Sequence, residues 1–238
     1  MLRLTVISDF RSLDIVTRCN SEICCVASFT CLLTYFLIGL LLKKGIVMTK
    51  VAIVYHSGYG HTKNQAEAVR AGVLRAAGAT PELIAIDAEG NLSEAAWASL
   101  EAADAIIFGT PTYMGTVSWQ FKKFADTSSK QWFGQKWKDK VAAGFTNSAT
   151  MNGDKGTTMS YLITFAMQHS MVWVGTGLMP SNSKAAQRND VNFVGGFSGA
   201  LAQSPSDSSP EEGPAAGDLE TAKQFGKRVA ETAQKFKK

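Results

Sequence analysis

The chain has 238 residues, with 24 Lys and Arg against 20 Asp and Glu and a net charge of +4. That balance leaves no basic footprint for nucleic acid, and the length fits a domain with a sizeable core. All four cysteines, Cys19, Cys24, Cys25 and Cys31, fall in the first 47 residues. Beyond them the chain has no thiol for a disulfide, a nucleophile or an iron–sulfur cluster, which suits a reducing cytoplasm.

Residues 1–47 differ from the rest. Ile23 to Leu42 carries no charge and is followed by Lys43-Lys44. About 20 apolar residues match one membrane-spanning helix, and the positive flank would put its C-terminal side in the cytoplasm. Yet Met48 opens MTKVAIVYHSGYGHT, which reads as the start of a soluble domain. Two readings of 1–47 stand: sequence upstream of the true start, which is favoured, or a single membrane anchor. Residues 48–238 form the functional domain in either case.

From Met48 short apolar runs alternate with helical periods. A strand is predicted at 51–55, a helix at about 62–77, a strand at 81–86 and a helix capped by Ser93 reaching about 102. A buried strand at 105–108 precedes a helix at 118–127, a strand at 141–145, a helix at about 157–168 and a fifth strand at 171–174. Residues 181–217 are rich in Ser, Gly, Pro and Asn and read as irregular, and a last amphipathic helix starts near Asp218. Alternation of this kind implies a parallel sheet covered on both faces, a three-layer α/β/α sandwich.

In such sheets ligands bind beyond the carboxyl ends of the strands. The first loop there is Ser57-Gly58-Tyr59-Gly60-His61-Thr62, a tight turn into a helix N-terminus. Free N–H groups and the positive end of the helix dipole suit a phosphate, although such a turn can also be a plain connection. It is neither a Gly-Lys-Ser/Thr nucleotide loop nor G-x-G-x-x-G. The next two loops are Gly109-Thr110-Pro111-Thr112-Tyr113-Met114-Gly115 and Thr146-Asn147-Ser148-Ala149-Thr150-Met151-Asn152-Gly153. Both are dense in Gly and small polar residues, suited to reading a flat polar ligand through backbone groups. The histidines lie far apart and suggest no metal site.

The S-x-x-G-x-T turn resembles the first loop of the flavodoxin family. GTPTYMG followed by Trp119, Phe121 and Phe124, then TNSATMNGD, then MQHSMVWVG, resembles the WrbA-type NAD(P)H:quinone oxidoreductases of that superfamily. The resemblance implies a flavodoxin-like fold with a parallel five-stranded sheet in order 2-1-3-4-5, non-covalent FMN and a homo-oligomer, tetramer or dimer. By position, Ser57, Gly58, Tyr59, Gly60, His61 and Thr62 would hold the FMN phosphate. Pro111, Thr112, Tyr113, Met114 and Gly115 would flank the ring, and Asn147, Ser148, Ala149, Thr150, Met151 and Asn152 would close on its polar edge. Tyr59 would meet NAD(P)H, Trp132 would cover the pocket and bind quinone, and His169 would be the catalytic group. The family has adjacent histidines where this chain has Gln168-His169, and a glycine-rich loop where it has Met151-Asn152. Packing readings of Trp132 and His169 compete with these. The implied reaction is two-electron transfer from NAD(P)H to a quinone by a ping-pong mechanism. A flavodoxin-type electron carrier or a regulatory FMN-binding protein would carry the same residues.

Overall fold

The first strand, β1 (Thr49–Tyr55), is apolar on both sides because it lies in the middle of a sheet covered twice. A computed structural model describes residues 48–237, so the two readings of residues 1–47 lie outside the described residues. Among the described residues no helix is long and apolar enough to cross a membrane. β1 pairs in parallel with β2 (Ala79–Ala85) on one side and β3 (Ala105–Tyr113) on the other, and β3 pairs with β5 (Val141–Ser148). The outer position beyond β5 is shared by two pieces. β6 (Val172–Trp173) pairs with Val141 and Ala142, and β7 (Ala200–Gln203) pairs with Phe145 to Ser148.

The order is therefore 2-1-3-4-5 when the strand positions are counted, with the fifth position split. The sequence predicts one fifth strand at 171–174, but Gly175, Gly177 and Pro180 break it early. Residues 174–199 leave the sheet and return as β7. The excursion is pinned at its neck, where Thr176 N–H donates to Phe197 O at 2.9 Å and Trp173 Nε1 to Ser198 O at 2.8 Å.

Strand alternation sends side chains to two cores. Val51, Ile53 and Ile107 point toward α1 (His61–Val73) and α6 (Ala216–Phe236). These helices touch through glycines: a Cβ on Gly72 would lie 1.9 Å from Lys223 O, and one on Gly226 2.2 Å from Val69 O. Val54, Ile106 and Phe108 point the other way, toward α2 (Glu94–Ala102), α3 (Trp119–Thr127) and α5 (Lys155–Gln168). There Phe108, Phe121, Phe124, Phe165 and Trp137 form an aromatic cluster with ring centroids 5.1–6.3 Å apart. Removing one such ring costs about 3–5 kcal/mol.

Several boundaries move. α1 ends at Val73 rather than near 77, where the chain tightens into short turns, Arg75 N–H donating to Gly72 O at 2.9 Å and Ala76 N–H to Val73 O at 3.0 Å. β3 runs on to Tyr113 and folds back as β4 (Thr116–Val117), so most of the GTPTYMG segment is strand. The turn has two residues, Met114 and Gly115, with φ +48 and +82, the left-handed pair that a tight hairpin requires.

Candidate functional site

Ser57, Pro111 to Gly115 and Asn147 to Asn152 all follow or end strands at the carboxyl edge of the sheet, as the parallel order demands. At the first turn Gly60 takes φ +92 and leads into α1, with no cap from its own side chain. The cap comes from Ser57, whose Oγ accepts N–H from Gly60 at 3.2 Å and Lys63 at 3.1 Å. Two N–H groups thus converge on one oxygen position, at the positive end of a helix. Thr62 is 2 % exposed, and its hydroxyl bonds to no other group among the described residues.

The space above the turn is held by Tyr113. A Cβ on Gly58 would lie 2.5 Å from its hydroxyl, and the exposed Tyr59 ring meets it edge-on at 6.1 Å. Burial raises the Tyr113 phenol above its ordinary pKa, with Tyr59 adding to it. Met114 projects fully into solvent at the hairpin tip. Pro111 and Thr112 are buried near the end of β3. Pro111 pairs with Asn147 in the sheet, and Thr112 Oγ1 bonds Thr146 Oγ1 at 2.9 Å and Thr158 Oγ1 at 2.8 Å. On the outer side Tyr113 and Met114 open into a groove of about 990 Å³, with Val117, Trp119 and Tyr161 on its walls.

In the third segment Asn147 and Ser148 end β5 and are buried, whereas Ala149 to Asn152 are exposed. Asn147 Oδ1 accepts from Ser204 Oγ at 3.1 Å, and Ser204 N–H donates to Ser148 O at 3.1 Å. Residues 204–213, within the stretch read as irregular, form a strap across this edge. His61 Nε2 donates to Ser208 O at 3.1 Å, Asn64 Nδ2 donates to Pro210 O, and Pro210 packs against Gly60. One residue that sequence reasoning missed stands behind the turn. Lys155 is 1 % exposed and its Nζ donates to the carbonyls of Thr150, Met151 and Asn152. A lone Lys at a helix start carries no sequence signal of burial.

The structure does not bring His169 or Trp132 to this edge. α5 runs back from the end of β5, so His169 reaches the amino edge, where Ser170 O accepts from Asp139 N–H just ahead of β5. There His169 packs on Trp137 at 4.3 Å and Phe165 at 5.0 Å. Ser128 gives its hydrogen to Ala125 O at 2.6 Å, so His169 Nε2 must carry the hydrogen shared with Ser128 Oγ at 2.9 Å. Nδ1 is left bare and buried, and burial lowers the imidazole pKa to about 4. Trp132 sits on α4 (Ser129–Phe133), half exposed, beside a second groove with Tyr161, Gln168 and His169. A nine-residue helix separates it from the Met114 turn, about 14 Å at 1.5 Å per residue. Within one chain, therefore, neither residue reaches the loops. Among the described residues no group of three His, Cys, Asp or Glu is placed to hold a metal.

The strand order, with its helices on both faces, defines a flavodoxin-like protein. Residues 62–185 match the NADPH-dependent FMN reductase family, to which the chain belongs. It is 51 % identical over 189 residues to the flavodoxin FldP of Pseudomonas aeruginosa, covering 79 % of this chain and 99 % of that one. It is 37 % identical over 204 residues to an NAD(P)H dehydrogenase (quinone) of Azorhizobium caulinodans, covering 79 % and 99 %. Among solved structures it is similar to the flavodoxin, WrbA-like protein from Agrobacterium tumefaciens, with 52 % identity, a TM-score of 0.64 and coverage of 79 % and 99 %.

Proposed function

We propose that this protein is an FMN-dependent oxidoreductase that carries two electrons from NAD(P)H to a quinone, both substrates using one face in turn. The observation that carries the reading is the convergence of the Gly60 and Lys63 N–H groups on the Ser57 oxygen, beside the Tyr59–Tyr113 pair. A phosphate oxygen taking the place of the Ser57 hydroxyl oxygen would suit that donor pair at the helix N-terminus. Bound FMN supplies the hydride chemistry, and the protein supplies binding and orientation. Ser57, Gly58, Gly60, His61 and Thr62 would hold the phosphate. Tyr113 and Met114 would stand at the ring, and residues 149–152 would face its polar edge. Tyr59 and the groove beyond Tyr113 offer aromatic surface to a flat second substrate. His169 has no part in this mechanism within one chain.

The chain's family membership and its similarity to quinone dehydrogenases support this reading. The similarity to a protein named flavodoxin favours a second one, a carrier without turnover. NADH oxidation with a benzoquinone by FMN-loaded protein separates them. Turnover with parallel double-reciprocal lines is expected, and its absence at full FMN loading would leave the carrier.

We further propose that the chain acts in the cytoplasm as a homo-oligomer. The exposed Met114, Trp119, Trp132 and Phe133 along the α3–α4 side support self-association, and sedimentation measures it. In an oligomer, the exposed Trp132 would meet the flavin site of another copy. Residues 48–238 are expected to fold and bind FMN without residues 1–47. A chain starting at Met48 that fails to bind FMN, while the full chain binds it in membranes, would favour the anchor.

A further inference from the structure

Four consecutive carbonyls in the turn after β5 face side-chain donors. Gln203 Nε2 donates to Ala149 O at 2.7 Å. Lys155 Nζ donates to Thr150 O at 2.7 Å, Met151 O at 3.0 Å and Asn152 O at 3.5 Å. In a trans peptide the C=O and the next N–H point in opposite directions. Inward carbonyls therefore turn the N–H groups of Thr150, Met151, Asn152 and Gly153 outward. Among the described residues no protein atom accepts from these four. The ammonium behind them is buried, which is tolerable only because its three hydrogens have acceptors. A row of outward N–H groups backed by a cation is a receptor for oxygen or nitrogen acceptors, and more so for a negative charge.

We propose that Lys155 is a positioning residue: it holds the 149–153 turn as a donor row for the acceptor-rich edge of the flavin ring and sets a positive charge behind that edge. The inference rests on the FMN reading above. Lys155 itself touches no ligand; it acts through the carbonyls it grips. Two charged groups face it, the Asp218 carboxylate from α6 and the Arg188 guanidinium from the 174–199 excursion. They are paired with each other at 2.6 and 2.8 Å, so their effects on Lys155 largely offset. Burial is the main influence, and it lowers the ammonium pKa to about 8. The charge is thus held at pH 7 and is lost as the pH rises past 8, before the flavin edge itself titrates.

The test is the FMN dissociation constant of the full chain between pH 7 and 9.5, read by quenching of flavin fluorescence. If FMN binding favours the ammonium, wild type should weaken about tenfold over that range, since each pH unit beyond the pKa can cost up to tenfold. K155M should bind at least about tenfold more weakly at pH 7 and show no pH dependence, the loss of a charged hydrogen bond being worth that much. K155R, which keeps a charge that does not titrate in this range, should be pH-independent and tighter than K155M. Wild type that binds FMN at pH 7 but weakens nowhere up to pH 9.5 would overturn the role of Lys155 alone. K155M that matches wild type throughout would overturn it too. If K155M fails to fold, the wild-type profile decides. Wild type that binds no FMN at pH 7 would remove the FMN reading and this inference with it.

Discussion

The Tyr113 hydroxyl stands where a side chain on Gly58 would have to be, 2.5 Å from the position of its Cβ. Gly58 is therefore coupled to the aromatic wall of the site and not to the core. Gly58→Ala should push the Tyr113 ring aside and raise the FMN dissociation constant about fivefold or more, in line with ~1–3 kcal/mol for overpacking. Thermal unfolding of the FMN-free protein should barely change. Tyr113→Phe removes the colliding atom, so the double variant should recover affinity. Additive losses in that double-mutant cycle would break the coupling.

Thr62 is buried at the second position of α1, with its hydroxyl bonded to nothing among the described residues. That is the pattern of a donor reserved for a ligand. Thr62→Val keeps the shape and removes the donor. FMN affinity should fall by about tenfold or more, the worth of one hydrogen bond to a charged group. Stability without FMN should change by less than about 1 kcal/mol. Equal losses in both measurements would make Thr62 a structural residue.

Much of this arrangement is legible in the amino-acid order. Val51–Tyr55 and Ala105–Phe108 are continuous apolar runs because a doubly covered sheet leaves no polar side, and the parallel order then forces their loops to one edge. Where His169 and Trp132 lie relative to the loops of their own chain is a matter of helix direction. α5 has 14 residues, about 21 Å at 1.5 Å per residue, and must run back across the sheet, so a residue at its end cannot face the loop at its start. The same holds for Trp132 beyond α3. The split fifth strand and the strap over Gly60 depend on pairings between residues 25–149 apart, to which a local period is blind. Lys155 was invisible because burial of a cation is set by the carbonyls around it.

For Trp132 the placement gives a joint expectation. It is half exposed and distant from the loops of its own chain. Trp132→Ala should leave FMN affinity unchanged. If the chain self-associates through the α3–α4 side, the variant should lose assembly in sedimentation and raise the quinone Michaelis constant together. No change in either would make Trp132 a peripheral packing residue, worth under about 2 kcal/mol of stability.

His169 makes a prediction about acid. Its native pKa is lowered to about 4 from the ordinary imidazole value of 6.5, by burial against Trp137 and Phe165. Between those two values the unfolded chain holds a proton that the native chain does not. Stability therefore rises with pH across that window and is lost as the pH falls from about 6.5 toward 4. The size over the whole window is on the order of 3 kcal/mol, at about 1.36 kcal/mol per unit. His56 is also lowered by burial and acts with the same sign, so it must be held constant. The measurement is the urea midpoint of wild type and His169→Gln at pH 7 and pH 4.5. His169→Gln should be less stable at pH 7, because Gln fills the aromatic niche poorly. Its further loss on going to pH 4.5 should be smaller than that of wild type, since it has no buried imidazole to charge. A parallel fall in both proteins would mean that the native pocket accepts the imidazolium, and the bare Nδ1 would then need a partner when protonated.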